Sequence, residues 1–362
     1  MAVVQYFVPH FFNRAGKPVV NALQKVLDMP MAMDMDILTI ETPYSKESLT
    51  MANTLTLKQL HQEHKGKVSD KWPLYINEYD RLFSCYRDLE IRLLEIGTQN
   101  GGSLEIWAKY FSNAKQIVGC DINQKCEQLR YKDNHVAVVV CDANSNECEQ
   151  RILQHSPAFD IIIDDGSHKT SDIVRSFARY FPRLNDGGIY IAEDLHCSYW
   201  YHFEGGLHNP FSSIAFFKRL SDIVNYEHWR NNKSRNNLLN DFELTYGVGF
   251  NDVDLARVHS VEFINSLCVI RKLPPEENLL GKRTVVGEEE LVTTGIHQLN
   301  ATSIQDSATY IRDEESIDVI KLIQRIGLLN QAVTERDEKI ASLNQSLAEC
   351  EKQIANLNPQ EG

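Results

Sequence analysis

Five short apolar runs that meet acidic residues constrain this chain more than any other feature of its sequence. Arg92-Leu93-Leu94-Glu95-Ile96 is closed by Gly97, Gln116–Cys120 ends at Asp121, and Val136–Cys141 ends at Asp142. Phe159–Ile163 runs into Asp164-Asp165, and Gly188–Ala192 into Glu193-Asp194. Runs this short and continuous, separated by helical segments such as Ser103–Phe111, belong to parallel strands buried on both faces. Ligands of such sheets bind outside the carboxyl ends of the strands, so this topology collects the acids at the binding edge. Val258–Phe263 and Ser266–Lys272, split by Ile264-Asn265, read as a closing antiparallel hairpin. The expected fold class is α/β: a Rossmann-like sheet with helices on both faces.

Around this core, residues 1–54 form an N-terminal segment to which the sequence assigns no role. The globular domain is expected over 55–273. It opens with a helical pattern in which Leu57, Leu60, His61 and His64 fall at i, i+3, i+4 and i+7. Residues 274–316, with Glu288-Glu289-Glu290, read as a polar linker. From 317 to 358 a heptad appears. Val319, Ile326, Val333, Ile340, Leu347 and Ile354 hold one seam position, and Leu322, Leu329, Leu343 and Leu357 the other, with Arg336 and Cys350 interrupting. Sustained a/d spacing with charged flanks predicts a coiled coil and, through it, a homo-oligomer.

The net charge of −13 excludes general nucleic-acid binding, which needs a basic surface to displace counterions. No run approaches the roughly 18 apolar residues of a membrane span. The apolar N-terminus lacks a basic leader and is broken by Pro9 and His10. The eight cysteines form no CxxC pair and no regular framework, so they are expected to be reduced thiols in a cytoplasmic protein.

Chemistry concentrates at the strand ends. Gly97, Gly101 and Gly102 follow Glu95 in a turn that lets backbone pass close to a ligand and opens into a helix. The spacing is neither GxGxxG nor a phosphate-binding loop, and alone it reads equally as a tight strand-to-helix connection. Asp121 sits where Rossmann-type folds place an acid on ribose hydroxyls, and Asp142 is positioned for an adenine edge. The second constellation is Asp164-Asp165-Gly166-Ser167-His168 with Glu193-Asp194 downstream. Two acid pairs converging in a cleft repel one another, which makes a hard divalent cation such as Mg²⁺ their natural partner. His168, three residues past Asp165, is placed to act as a base; by itself it would read as a surface histidine. Tyr199, Trp200, Tyr201 and His202 follow, equally suited to stacking on a ligand or to an ordinary lid.

The segments SDKWPLYINEYDRLF, LLEIGTQNGGSLEIWAKYF, IVGCDIN, FDIIIDDGSH and GGIYIAEDLHCSYW resemble the metal-dependent class I methyltransferases of the macrolide-sugar, mycinamicin type. The likeness covers Asp70 to Trp200 and the final hairpin. It implies transfer of a methyl group from S-adenosylmethionine to a sugar hydroxyl with Mg²⁺. By motif, Asp165, Glu193 and Asp194 would be the metal ligands and His168 the general base. Glu95, Gly97, Gly101, Asp121 and Asp142 would bind the cofactor. The heptad tail resembles spacers of bacterial polysaccharide-biosynthesis proteins, which implies a glycan acceptor. Three other readings remain open: a catechol-type O-methyltransferase, a non-catalytic coiled-coil scaffold, and a related oxygenase. The lack of a two-histidine, one-carboxylate set argues against the oxygenase.

Overall fold

Alternation of side chains across the strands builds two cores, one on each face of a single sheet. On β1 (Arg92–Ile96), Leu93 points to one face and Leu94 and Ile96 to the other; on β4 (Phe159–Asp164), Ile161 and Ile163 oppose Ile162. The sheet also contains β2 (Gln116–Asp121), β3 (Val136–Val140), β5 (Leu184–Ala192), β6 (Val258–Ile264) and β7 (Leu267–Lys272). Its order is β3-β2-β1-β4-β5-β7-β6, parallel except for β7, which runs antiparallel to β5 and β6. The chain reverses its winding direction between β1 and β4, the switch point at which α/β sheets place their ligands. The expected strands and hairpin are all present, with β5 beginning earlier than its apolar run, at Leu184.

The computed structural model describes residues 55–229, 232–304 and 316–357. The N-terminal segment and 305–315 of the linker therefore lie outside the described residues. The helical pattern after Leu55 resolves into two helices: α1 (Leu57–Gln62), with a Thr56 capping box, and α2 (Pro73–Phe83), started by its proline. His64 thus falls beyond α1, and its Nε2 contacts the Lys67 carbonyl at 2.8 Å. Helix α3 (Gly102–Tyr110) packs with α2 on one face of the sheet. Tyr79 stacks on Phe83 with ring centres 4.8 Å apart, and Trp107 meets Tyr79 edge-on at 5.6 Å. On the other face, α5 (Thr170–Tyr180) and α6 (Ser213–Val224) carry Phe177, Phe216 and Phe217 into the core, with α4 (Asn146–His155) flanking β3. The short helices α7 (Asn240–Tyr246) and α8 (Asp252–Leu255) lead into the hairpin.

Helix α9 (Ser316–Leu357) covers the heptad region. Its Gly327 lies against the Phe211 ring. Beyond that contact the seam residues Ile326, Leu329, Val333, Ile340, Leu343 and Leu347 are exposed. The seam side chains of Val319, Leu322, Ile354 and Leu357 lie outside the described residues. Among the described residues, no helix is long and apolar enough to cross a membrane.

One expectation is corrected. Cys141, just after β3, and Cys148, in the first turn of α4, form a disulfide, while Cys85, Cys120, Cys126, Cys197, Cys268 and Cys350 are free. The tight turn through Asp142 and Ser145 brings together two residues whose spacing gives no signal in the sequence.

Candidate active site

The glycine turn is shaped by its neighbours on both sides. Gly97 has φ +94°, and a Cβ there would fall 1.9 Å from the Asp165 carbonyl oxygen. Its N–H donates to the Cys120 carbonyl at 2.8 Å, and the Asp165 N–H donates to the Ile96 carbonyl at 2.8 Å. The ends of β1, β2 and β4 are therefore stitched together at this point. Asp121 accepts from the Gln99 N–H at 2.7 Å and from the Asn123 N–H at 2.8 Å, which fixes its carboxylate beside the turn. A cavity of about 230 Å³ runs over this turn, lined by Ser69, Lys71, Gly97, Asp121, Asp165, His168 and Asp194 among others. A second, of about 200 Å³, continues past Gly97 and Asp121 to Asp142 and Ala143.

Of the expected cofactor residues, Gly97, Asp121 and Asp142 line this trough. Glu95 and Gly101 do not. Glu95 is fully buried beneath it, accepting from Ser103 Oγ at 2.6 Å, and burial holds its carboxyl above the usual range. A Cβ on Gly101 would meet the Tyr131 hydroxyl at 2.1 Å, so that glycine serves packing at the start of α3.

Only one acid of the Asp164-Asp165 pair reaches the acid site. Asp164 is still in β4, so its side chain turns to the opposite face of the sheet, where the Tyr190 hydroxyl donates to it at 2.9 Å. Asp165, Glu193 and Asp194 do converge, as expected, but they are not uncompensated. Lys71 Nζ lies 2.5 Å from Asp165 Oδ2, 2.7 Å from Glu193 Oε1 and 3.7 Å from Glu95 Oε1. Burial alone would drive this ammonium toward neutrality; Glu193, Asp165 and Glu95 outweigh it and raise its pKa. The Asp165 and Glu193 carboxyls are pushed up to about 7 in turn. For Asp165 burial dominates, and for Glu193 burial and the adjacent Asp165, with Lys71 only partly offsetting both.

Lys71 and its neighbours carry no expectation from the residues alone, yet they complete the site. The Tyr79 hydroxyl donates to Glu193 Oε1, and the Tyr75 hydroxyl donates to Asp194 Oδ1 at 2.8 Å. Trp72 Nε1 reaches the same Asp194 oxygen at 3.2 Å. The signal that could have exposed them is spacing: Lys71, Tyr75 and Tyr79 recur every fourth residue at the entry and along one face of α2.

His168 stands at the mouth of the cavity, its Nε2 3.6 Å from Asp194 Oδ2, and burial lowers its pKa. Gln99, His168 and Asp194 all adopt left-handed backbone, with φ of +48°, +58° and +53°. Three such non-glycine residues around one opening mark a locally over-determined site.

The fit of the implied groups can be tested on these atoms. Among the described residues, Ser69 Oγ, on the cavity wall, is buried without a hydrogen-bond partner, as a site awaiting a polar ligand group leaves it. Asp165, His168 and Asp194 offer ligand atoms all within 4.8 Å of one another, mostly hard oxygens suited to Mg²⁺. Glu193 Oε1 is committed to Lys71 and Tyr79.

Comparison with known proteins agrees with this architecture. Residues 94–195 match the family described as Methyltransferase domain. Over 177 residues the chain is 34% identical to an 8-demethyl-8-alpha-L-rhamnosyl tetracenomycin-C 2'-O-methyltransferase of Streptomyces olivaceus, covering 46% of each protein. It is 36% identical over 162 residues to the mycinamicin VI 2''-O-methyltransferase of Micromonospora griseorubida, covering 41% of this chain and 39% of that one. The chain thus spans less than half the length of these curated relatives. A solved MycE methyltransferase of the mycinamycin pathway, in complex with Mg and SAH, superposes with a TM-score of 0.52 at 26% identity, over 62% of this chain and 56% of that one. Over residues 94–195 the chain therefore resembles methyltransferase domains, on a Rossmann-like methyltransferase fold, and it is similar in sequence to O-methyltransferases acting on rhamnosyl tetracenomycin-C and mycinamicin VI.

Proposed function

We propose that this chain transfers a methyl group from S-adenosylmethionine to a hydroxyl of a sugar or glycan, with a divalent cation at the acid site. The observation that carries this reading is the continuity of one trough, from Asp142 and Asp121 over Gly97 to Asp165, His168 and Asp194. A nucleoside on this floor, against the acid and base cluster, is the reading that a fold shared with sugar O-methyltransferases supports. When bound, the sulfonium supplies an already activated methyl, and the cation supplies Lewis acidity toward acceptor oxygens.

The residues of the chain do the rest. Asp121 is oriented for ribose hydroxyls by the Gln99 and Asn123 amides. Asp165 and Asp194, with Glu193, would hold the cation. His168 is kept neutral by burial, so its ring can accept the acceptor's proton, and Asp194 beside Nε2 stabilises the resulting imidazolium. On the acceptor side, Trp72, Tyr75, His196 and Trp200 line an open, mostly apolar cavity of about 410 Å³ next to Asp194. Aromatic faces beside a carboxylate suit a pyranose ring, apolar on its faces and polar at its rim. The relatives' acceptors, rhamnosyl tetracenomycin-C and mycinamicin VI, support this class. The exposed seam of α9 supports a homo-oligomer built through a coiled coil. A cytoplasmic location accords with the six free thiols, against which the Cys141–Cys148 disulfide stands.

The test is methyl transfer to glycosides with purified full-length chain. His168→Ala should lose most turnover, by about 10²-fold or more, while SAH still binds, and a chelator should abolish activity. Normal turnover in His168→Ala removes that residue from proton transfer, and full activity in chelator removes the cation.

A further inference from the structure

The acid site contains a cation of its own. Lys71 is not a surface lysine leaning in: its side chain is 5% exposed, and its ammonium touches Asp165 and Glu193 while facing Glu95. It is delivered by a segment fixed on both sides. Upstream, Lys67 Nζ donates to Glu105 at 2.5 Å and the Val68 carbonyl accepts from the Gly102 N–H at 3.1 Å. Downstream, Pro73 starts α2, whose Tyr75 and Tyr79 hydroxyls bind Asp194 and Glu193. Glu193 Oε1 therefore already has two donors.

We propose that Lys71 is the resident counter-cation of this site and sets its affinity for a divalent ion, the two competing for Asp165 and Glu193. The inference rests on the metal-dependent reading above. A divalent ion held by these acids must take from Lys71 an oxygen it now occupies, or bind beside a fixed positive charge a few ångströms away. Either way the lysine weakens the ion's binding, because like charges at short range repel strongly in a partly desolvated cleft. The lysine also explains how these buried carboxylates are carried through folding before any ion arrives, since buried acids left unpaired are strongly destabilising. The role is that of a positioning residue: Lys71 holds two acids in place and yields them.

The experiment uses Mn²⁺ as the probe with the full chain, free Mn²⁺ being read by electron paramagnetic resonance during titration. Wild type, Lys71→Met and Lys71→Gln are compared, with SAH binding and thermal melting as checks of folding. Both neutral variants should bind Mn²⁺ at least tenfold more tightly than wild type. Without the ion they should melt lower than wild type, and Mn²⁺ should raise their melting temperature more than it raises that of wild type, since a ligand of the folded state alone stabilises it. Should Lys71→Met not fold without the ion, Lys71→Gln, which keeps a hydrogen-bonding head, carries the comparison. Equal or weaker Mn²⁺ binding in the variants overturns the inference and makes Lys71 a preorganiser of the ligands, while leaving metal dependence intact. No Mn²⁺ binding in any of the three proteins overturns both the inference and the metal-dependent reading.

Discussion

Replacing Gly97 by alanine perturbs the glycine turn and the acid site through one atom. The added Cβ would fall 1.9 Å from the Asp165 carbonyl oxygen and 2.5 Å from its carbonyl carbon. Both are backbone atoms, held by the Asp165 amide on Ile96, so no side chain can swing aside. To restore ordinary contact near 3.4 Å, the end of β4 must retreat by about 1.5 Å. Alanine at φ +94° adds a conformational cost of about 1 kcal/mol. Overpacking against fixed backbone adds about 1–3 kcal/mol, for a total of roughly 2–4 kcal/mol. That is survivable for a domain whose stability is about 5–15 kcal/mol. It corresponds to a fall in melting temperature on the order of 10 °C. Because Asp165 carries the displacement, SAH affinity and Mn²⁺ affinity should fall together, each by at least tenfold, as read by isothermal titration. Gly247→Ala is the matched control: φ is +64°, but nothing lies within 4 Å of the new Cβ. It should lose only the conformational part and leave both affinities unchanged. If Gly97→Ala binds SAH and Mn²⁺ like wild type, the coupling of the turn to the acids through this contact is refuted.

Two further outcomes concern parts of the chain remote from the cavity. Burial pushes the Lys272 ammonium down to about 8, although it donates to the Phe181 and Pro182 carbonyls. Its folded pKa lies below the ordinary 10.5, so the unfolded chain binds more protons between these values and stability rises with pH across that window. Denaturant titrations should show wild type gaining on Lys272→Met from pH 8 to pH 10.5; a constant difference would remove the buried-charge penalty. Lysines at Val333 and Ile340, both exposed on the α9 seam, should reduce the mass measured by light scattering to that of one chain while leaving the main thermal transition in place. A wild-type chain that is already monomeric refutes the coiled-coil association.

The strands and their acids were legible in the sequence because burial on both faces forces continuous apolar runs, and a run must stop where a polar side chain meets a ligand. Gly97, Asp121, Asp165 and Asp194 follow from that rule. The same rule, applied without the alternation of a strand, placed Asp164 in the acid cluster. One residue of register sends it to Tyr190 on the opposite face. Glu95 shows the converse: its strand position is right, but it points beneath the trough toward Ser103 and Lys71. The Cys141–Cys148 pair was illegible because a turn, and no repeated spacing, brings it together.

Lys71 was hidden for a different reason. It stands 94 residues from Asp165 and 122 from Glu193, in a polar stretch before a proline, where a lysine has no apolar pattern to betray it. Its presence changes the argument from charge without cancelling it. Repulsion among converging acids asks only for some positive charge, and a lysine answers that demand as well as an ion does. Four carboxylates, Glu95, Asp165, Glu193 and Asp194, share this ammonium's surroundings, and the lysine contacts only the first three. Asp194 instead takes neutral donors from Tyr75 and Trp72, and faces His168 across 3.6 Å and His196 across 3.8 Å. The negative charge left over is therefore concentrated at the open end, beside the candidate base. A second cation would do most there, next to the ring proposed above to accept a proton.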